Sequence, residues 1–243
     1  EGGPDQGCRH PGDAVAVAVP PQFQTEILIA ALERGLAVFA EKPLAANLAD
    51  ADRIVAAQLA AGAPNAVDFN FTGVTAFAVA RERLRLGAIG RLRHVVVTWQ
   101  VENYSNRNRL TSWKTDTNSG GGTLFNFVSH TLHYLEWLSG DRIASLSARL
   151  WSIPGDTRPG DASVALQLEF ASAAAGMVAV SAAANHGTGH EVAFYGENGA
   201  VILRNATGDY MRGFELLTAT RAQRAPETVA LEAVDGHEDG RIL

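Results

Sequence analysis

The chain has 243 residues, 47% of them hydrophobic and 19% charged, and a formal net charge of -6. This composition excludes a disordered chain. An acidic balance with no basic block argues against a nucleic-acid surface, and no apolar run approaches membrane-spanning length. A single cysteine, Cys8, leaves no internal disulfide, which fits a reducing, cytoplasmic setting.

Residues 1–13 are rich in Gly, Pro and polar groups and read as a loop. Ala14 to Val19 is a continuous run of small apolar residues closed by Pro20-Pro21, the pattern of a strand buried on both faces. Gln22 to Arg34 reads as a helix, with Ile27, Leu28, Ala31 and Leu32 on one face and Gly35 as the stop. Leu36 to Ala40 is a second buried strand. Asn47 caps a second helix that runs to about Ala61 and is ended by Gly62. Ala66 to Phe71 is a third strand. This alternation predicts βαβ units, a parallel sheet and right-handed crossovers. A full dinucleotide-binding sheet has about six strands, so three strands correspond to its second half.

Val74 to Leu86 predicts one more helix, ended by Gly87. The pattern changes after Gly90. Leu92 to Glu102 is a long strand, followed by a polar loop to Ser119. Gly120-Gly121-Gly122 precedes a helix that reaches about Leu138. Strand-like stretches then begin near Ile143, Ala162, Gly176, Glu191, Ala200 and Phe214, separated by turns at Gly155-Asp156, Gly187 and Gly196. Gly196-Glu197-Asn198-Gly199 reads as a hairpin turn rather than a phosphate loop. Consecutive strands without helices predict an antiparallel sheet. The expected fold class is therefore α/β: a partial parallel sheet over residues 1–73, then an α+β domain with a large open antiparallel sheet over residues 74–243.

Two places carry residues suited to chemistry. Glu41-Lys42-Pro43 follows the second buried strand directly, and ligands of open parallel sheets bind beyond the carboxyl ends of the strands. A lysine there can donate to a substrate hydroxyl, and desolvation lowers its pKa; the tripeptide alone also reads as an exposed loop. On the helix after the triple glycine, at roughly 100° per residue, Leu124, Val128, Leu132, Leu135 and Leu138 share one face. Asn126, His130, His133 and Trp137 fall nearly opposite. A positioned histidine can take a hydroxyl proton near neutral pH; the same pair also reads as surface or satisfied core histidines. His130 and His133 with Glu136, or His186 with His190, contain metal-ligand types. His130 and Glu136 are nearly two turns apart and no cysteine supports either group, so no metal site is expected.

The run DAVAVAVPPQFQTEILIAALERGLAVFAEKPLAANLADADRIV resembles the second half of the cofactor domain of the glucose–fructose oxidoreductase/inositol dehydrogenase (Gfo/Idh/MocA) family, a Rossmann fold. GGGTLFNFVSHTLHYLEWLSG resembles the same family's catalytic helix, and the intervening LGAIGRL matches in order and separation. The likeness covers about Asp13 to Val201. It implies an oxidoreductase that uses NAD or NADP and acts on a secondary alcohol of a sugar, cyclitol or derivative. It also implies homodimers or homotetramers through the C-terminal sheet. Lys42 matches the family's catalytic lysine, and a cis bond between Lys42 and Pro43 is implied with it. His130 matches the proton acceptor. Asn126 falls where many members have Asp and others Asn, and is expected to orient substrate or His130. His133 and Trp113 fall at substrate-lining positions. Pro20, Pro21, Gln24 and Glu41 match the segments near the nicotinamide ring, with Gln24 in place of a frequent His.

The sequence also departs from the family. No Gly-x-Gly-x-x-Gly is present to receive a pyrophosphate at a helix N-terminus, and the acidic residue that binds the adenine ribose is missing. The C-terminus at Arg241-Ile242-Leu243 stops before a closing helix. The expectation is a fragment or truncated product that binds NAD or NADP weakly. Two further readings stay open: a relative that uses transient oxidation to cleave a glycosidic bond or eliminate water, and a binding remnant without catalysis.

Overall fold

A computed structural model describes residues 14–232; the expected N-terminal loop with Cys8, and the C-terminal end, lie outside the described residues. Two sheets organise the chain. The first is a three-stranded parallel sheet of order β1-β2-β3, formed by β1 (Ala14–Val17), β2 (Ala37–Ala40) and β3 (Asn65–Val67). Helices α1 (Pro21–Glu33) and α2 (Leu48–Ala61) connect them. Pro21 opens α1 at its first turn, where its missing N–H costs nothing. The Asn47 side chain accepts from the Asp50 N–H at the start of α2, and left-handed Gly62 ends it. Leu28, Ala31 and Leu32 of α1 pack on Val17, Val38 and Ala40 of the sheet, as the helix face predicts.

Two expectations for this unit are corrected. Among the described residues β1 stands at the end of the three-stranded sheet, and Ala14 and Ala16 are exposed where burial on both faces is expected. The third strand ends at Val67, and Phe71 sits in a 3₁₀ turn, Asn70–Gly73. Phe71 belongs to the core of the second unit, against Phe77, Trp99 and Tyr134.

The second unit begins with α3 (Thr75–Arg85) and β4 (Leu92–Gln100). A short helical turn α4 (Tyr104–Arg107) and the helix α5 (Ser129–Ser139) follow. The strands β5 (Ile143–Trp151), β6 (Ser163–Phe170), β7 (Ala175–Ser181), β8 (Gly189–Gly196), β9 (Gly199–Asn205), β10 (Glu215–Thr220) and β11 (Glu227–Thr228) complete it. The eight-stranded order is β11-β10-β9-β8-β4-β7-β6-β5. The sheet is mixed and not wholly antiparallel as expected, because β4 pairs parallel with β7 and antiparallel with β8. β5, β6 and β7 fold back by hairpins from the far edge, so β7 arrives running in the same direction as β4. The β8–β9 hairpin turns at Glu197 and Asn198, as the glycine-flanked tetrapeptide predicts.

Strand alternation then divides the sheet's two faces. Val95, Val97 and Trp99 of β4, with Val192 and Phe194 of β8, point inward and pack under α3 and α5. Trp151, Met177 and Tyr195 are exposed on the opposite face, whereas Leu146 and Leu150, paired with Leu168 and Val164, are exposed on the core side of β5. No helix among the described residues is long and apolar enough to cross a membrane.

Candidate active site

Each residue of the triple glycine is required by a different neighbour. A Cβ on Gly120 would lie 2.9 Å from Ala46 Cα and 3.0 Å from Pro21 Cβ, so this glycine lets the second unit close on the first. On Gly121 it would lie 1.9 Å from the Trp113 carbonyl oxygen. On Gly122, at φ +90°, it would meet Asp161 Oδ1 at 2.2 Å. The Asp161 carboxylate accepts from the Leu124 N–H at 2.9 Å, and its backbone carbonyl accepts from Thr123. The start of the helix is thereby tied to the strand β6 side. Gly121→Ala is expected to destabilise the fold by about 1–3 kcal/mol, as overpacking against rigid backbone does. A denaturant titration checks this, and an unchanged midpoint would contradict the packing argument.

The helix is not α-helical throughout its first turns. Leu124–Val128 is a π-helical turn, and α5 follows at Ser129. π turns widen the backbone ladder and recur at functional sites. The Asn126 carbonyl oxygen accepts a 2.8 Å hydrogen bond from Lys42 Nζ, which spans the two units. The Asn126 side chain donates to the Gly122 carbonyl at 2.9 Å and more distantly to that of Lys114. Of its two expected partners, substrate or His130, the side chain bonds to neither here; it is held by the backbone of its own helix start and of Lys114. One α-helical period drawn through 124–138 cannot place these groups, because the π turn shifts the first residues. Val128, Leu135 and Leu138 of the leucine face are buried, Leu124 and Leu132 only partly, and Tyr134, outside that stripe, is fully buried.

Lys42 sits beyond the end of β2, on a cis Lys42–Pro43 peptide. Gln24 holds this loop from beneath: its Nε2 donates to the Glu41 carbonyl at 3.1 Å and the Pro43 carbonyl at 2.6 Å, while its Oε1 is buried with no partner. Gln24 is thus turned inward rather than presented at the edge. Burial lowers the Lys42 pKa to about 8, with nearby Lys114 adding to the shift and the carboxylates of Glu41 and Asp68 opposing it. Asp68, itself buried, is raised by desolvation and by Glu41.

His130 is buried on the same side, edge-on to Phe69 and Phe71 at 5.8 and 5.2 Å, with Nδ1 unpartnered. Burial holds its pKa well below the usual imidazole range, and the Lys42 charge lowers it further. The ring is therefore neutral near pH 7, the form that accepts a proton. His190 is buried deeper still. It stacks on Trp99 at 4.1 Å, its Nε2 lies 2.9 Å from Tyr134 Oη, and burial lowers its pKa to about 3.

A cavity of about 500 Å³ gathers these groups, with Glu41, Lys42, Asn126 and His130 in its lining. Of the other residues singled out from sequence, Pro20, Pro21, Gln24, Trp113 and His133 are outside that lining. His133 stacks flat on Phe69 at 4.1 Å. Trp113 lies under Lys114, whose ammonium is 5.6 Å from the ring centroid, and it is Lys114 that reaches the cavity. Lys114, Trp99, Tyr104 and Tyr210, none of them singled out from sequence, line it too, as does His190, which the sequence offers only as a metal-ligand type. For Trp99 a signal was available, since it continues the inward alternation of Val95 and Val97; Tyr104 and Tyr210 lie in polar loops with no periodicity.

Comparison with known proteins matches this arrangement along the chain. Residues 8–69 match the family model described as oxidoreductase family, NAD-binding Rossmann fold, and residues 77–202 match the GFO/IDH/MocA C-terminal domain. An uncharacterized oxidoreductase of Synechocystis sp. is 29% identical over 94% of this chain and 66% of its own length. Levoglucosan dehydrogenase of Pseudarthrobacter phenanthrenivorans is 26% identical over 87% of this chain and 59% of its own. Among solved structures, a levoglucosan dehydrogenase in complex with NADH and levoglucosan superposes with a TM-score of 0.80 at 25% identity, covering 94% of this chain and 63% of that one. An inositol dehydrogenase homologue of Azotobacter vinelandii, complexed with NADH and myo-inositol, shares the fold with a TM-score of 0.77 at 24% identity, over 89% of this chain and 55% of that one. The chain thus spans about two thirds or less of the length of these relatives. With the C-terminal domain match alone covering more than half of its residues, the chain belongs to the GFO/IDH/MocA family of oxidoreductases.

Proposed function

We propose that this chain carries the catalytic and substrate-binding groups of an NAD- or NADP-dependent dehydrogenase that acts on a secondary alcohol of a sugar, cyclitol or related cyclic polyol. The observation that carries the reading is the meeting of Lys42, Asn126 and His130 in one cavity, with Lys42 bonded across the two units to the Asn126 carbonyl. In this reading residues 1–73 are half of the nucleotide domain and residues 74–243 bind substrate and the partner subunit.

The edge beyond β1 and β2 fits the nicotinamide end of the cofactor: Pro20, Pro21, Glu41 and Lys42 lie there, and the orphaned Gln24 Oε1 is a buried acceptor beside them. A nicotinamide bound there would supply hydride acceptance, and that chemistry is the cofactor's own. The remaining work falls to this chain. The Lys42 ammonium donates to the substrate oxygen and favours its negative charge. Neutral His130 accepts the hydroxyl proton, and the Asn126 carbonyl holds Lys42 in place. Aromatic walls at Phe127 and Trp99 exclude water. The exposed large apolar residues Trp151, Met177 and Tyr195 on the outer face of the large sheet support assembly of a homodimer or homotetramer through it.

A pH profile of alcohol oxidation tests the assignment of charges. Lys42 is cationic below about 8 and loses its proton as pH rises through that value. His130, lowered by burial, stays neutral down to well below its ordinary 6.5. Oxidation is therefore expected to hold a plateau from neutral pH to below 6.5, and to decline above about pH 8. A profile that falls on the acid side near 6.5 would contradict the state given to His130.

A further inference from the structure

The cavity is larger than the group that would react in it. Of its described lining residues Glu41, Lys42 and Asn70 alone precede α3, so the second unit supplies most of the wall beyond the nicotinamide end. A volume of this order suits a drug-sized ligand, whereas a single sugar ring has only about a dozen non-hydrogen atoms. Two tyrosines from segments distant in sequence line this same space: Tyr104 on α4 and Tyr210 in the turn between β9 and β10. They are 75% and 46% exposed, so neither is there to fill a core.

Each tyrosine is carried on a purpose-built polar frame. The segment of Tyr104 is gripped by Arg158, whose side chain is only 10% exposed. Its Nη1 donates to the Ser105 and Leu110 carbonyls, its Nη2 to Asn106 Oδ1 and Asp156, and its Nε to Asp156, so every guanidinium N–H is used. Asn106 in turn donates to the Ala182 carbonyl. The turn that carries Tyr210 is closed around buried Asn205, whose Nδ2 donates to the Asp209 and Arg212 carbonyls and whose Oδ1 accepts from Thr207. Met211, next to Tyr210, is anchored with no exposure at all. Two exposed aromatic rings at one cavity, each on a hydrogen-bonded stretch of backbone, offer a surface for the flat face of a ring.

The charges of the lining restrict the ligand further. Glu41, Glu102 and Asp209 stand against Lys42 and Lys114, and no arginine is among the described lining residues. That set offers no fork for a phosphate or carboxylate. We infer that the cavity takes an uncharged glycoside, one ring at Lys42 and His130 and a second ring, sugar or aromatic, against Tyr104 and Tyr210. The inference rests on the dehydrogenase reading of the same cavity and adds the second ring and its neutrality.

The test is calorimetric titration of the 243-residue chain with matched methyl and phenyl pyranosides, and with monosaccharides against neutral disaccharides. A two-ring ligand is expected to bind about 10-fold more tightly than its one-ring counterpart. Tyr104→Ala and Tyr210→Ala should each reduce two-ring affinity about 3- to 10-fold, the scale of one aromatic contact, and leave one-ring affinity within about 2-fold. Tyr104→Phe and Tyr210→Phe should restore the gain. If both two-ring series show no advantage, or keep it in both alanine variants, the second-ring site is wrong while the dehydrogenase reading stands. If neither one-ring nor two-ring ligands bind at millimolar concentration, the second-ring site and the carbohydrate reading fail together.

Discussion

His130→Ala is expected to lower kcat for alcohol oxidation by about 10²–10⁴-fold, the usual range for a lost general base. His130 is a buried, neutral imidazole that lines the cavity with Lys42, and its low pKa keeps the accepting form available at neutral pH. Cofactor affinity should change little, because His130 stands on α5 and not on the parallel sheet. His133→Ala should do less. Its ring stacks on Phe69 outside the cavity lining, so its loss removes support from one side of His130 without removing a reacting group. Steady-state kinetics of both variants checks the order. A larger kcat loss for His133→Ala would move the base to the next turn of the helix.

Phe71→Ala is the substitution expected to cost most in stability, about 3–5 kcal/mol, as truncation of a fully buried aromatic does. Its ring is within 5.2–6.1 Å of the centroids of Phe77, Trp99, His130, Tyr134, His190 and Phe214. The cavity left behind would therefore open between α3, α5 and β4 and loosen the rings that hold His130 edge-on. Chemical denaturation should show a lower midpoint with an unchanged slope, and kcat should fall before the fold is lost. A midpoint shift worth less than about 1 kcal/mol would mean that the neighbours collapse to fill the site.

Much of this was legible in the residues. Asn47 and Gly62 bracket α2 where cap chemistry places them, and the glycine-flanked Glu197-Asn198 turn closes its hairpin. Lys42 and His130 are 88 positions apart, yet the strand-end rule and the polar helix face each singled out one of them. What escaped has physical reasons. A 100° helical period cannot foresee a π turn, so the hydrogen bonds of Asn126 came out differently. Strand patterns report faces and not neighbours, so the parallel pairing of β4 with β7 left no mark on either sequence. Phe71 reads as the last residue of an apolar run, and only the second unit's core explains its place. Tyr104, Tyr210 and Arg158 sit in loops, where side-chain frames rather than periodicity fix position.

The most direct test of the Lys42–His130 site follows the transferred hydrogen itself. A protein that contains this chain with a working nicotinamide site is incubated with NAD or NADP and with sugars or cyclitols deuterated at the ring carbons. Label in the reduced nicotinamide is then read by mass spectrometry. Transfer of deuterium is expected from at least one such carbon, with its loss to background in both Lys42→Met and His130→Ala, each still folded and still binding cofactor. Transfer that persists undiminished in those variants, or turnover that leaves the nicotinamide unlabelled, would contradict the Lys42–His130 assignment.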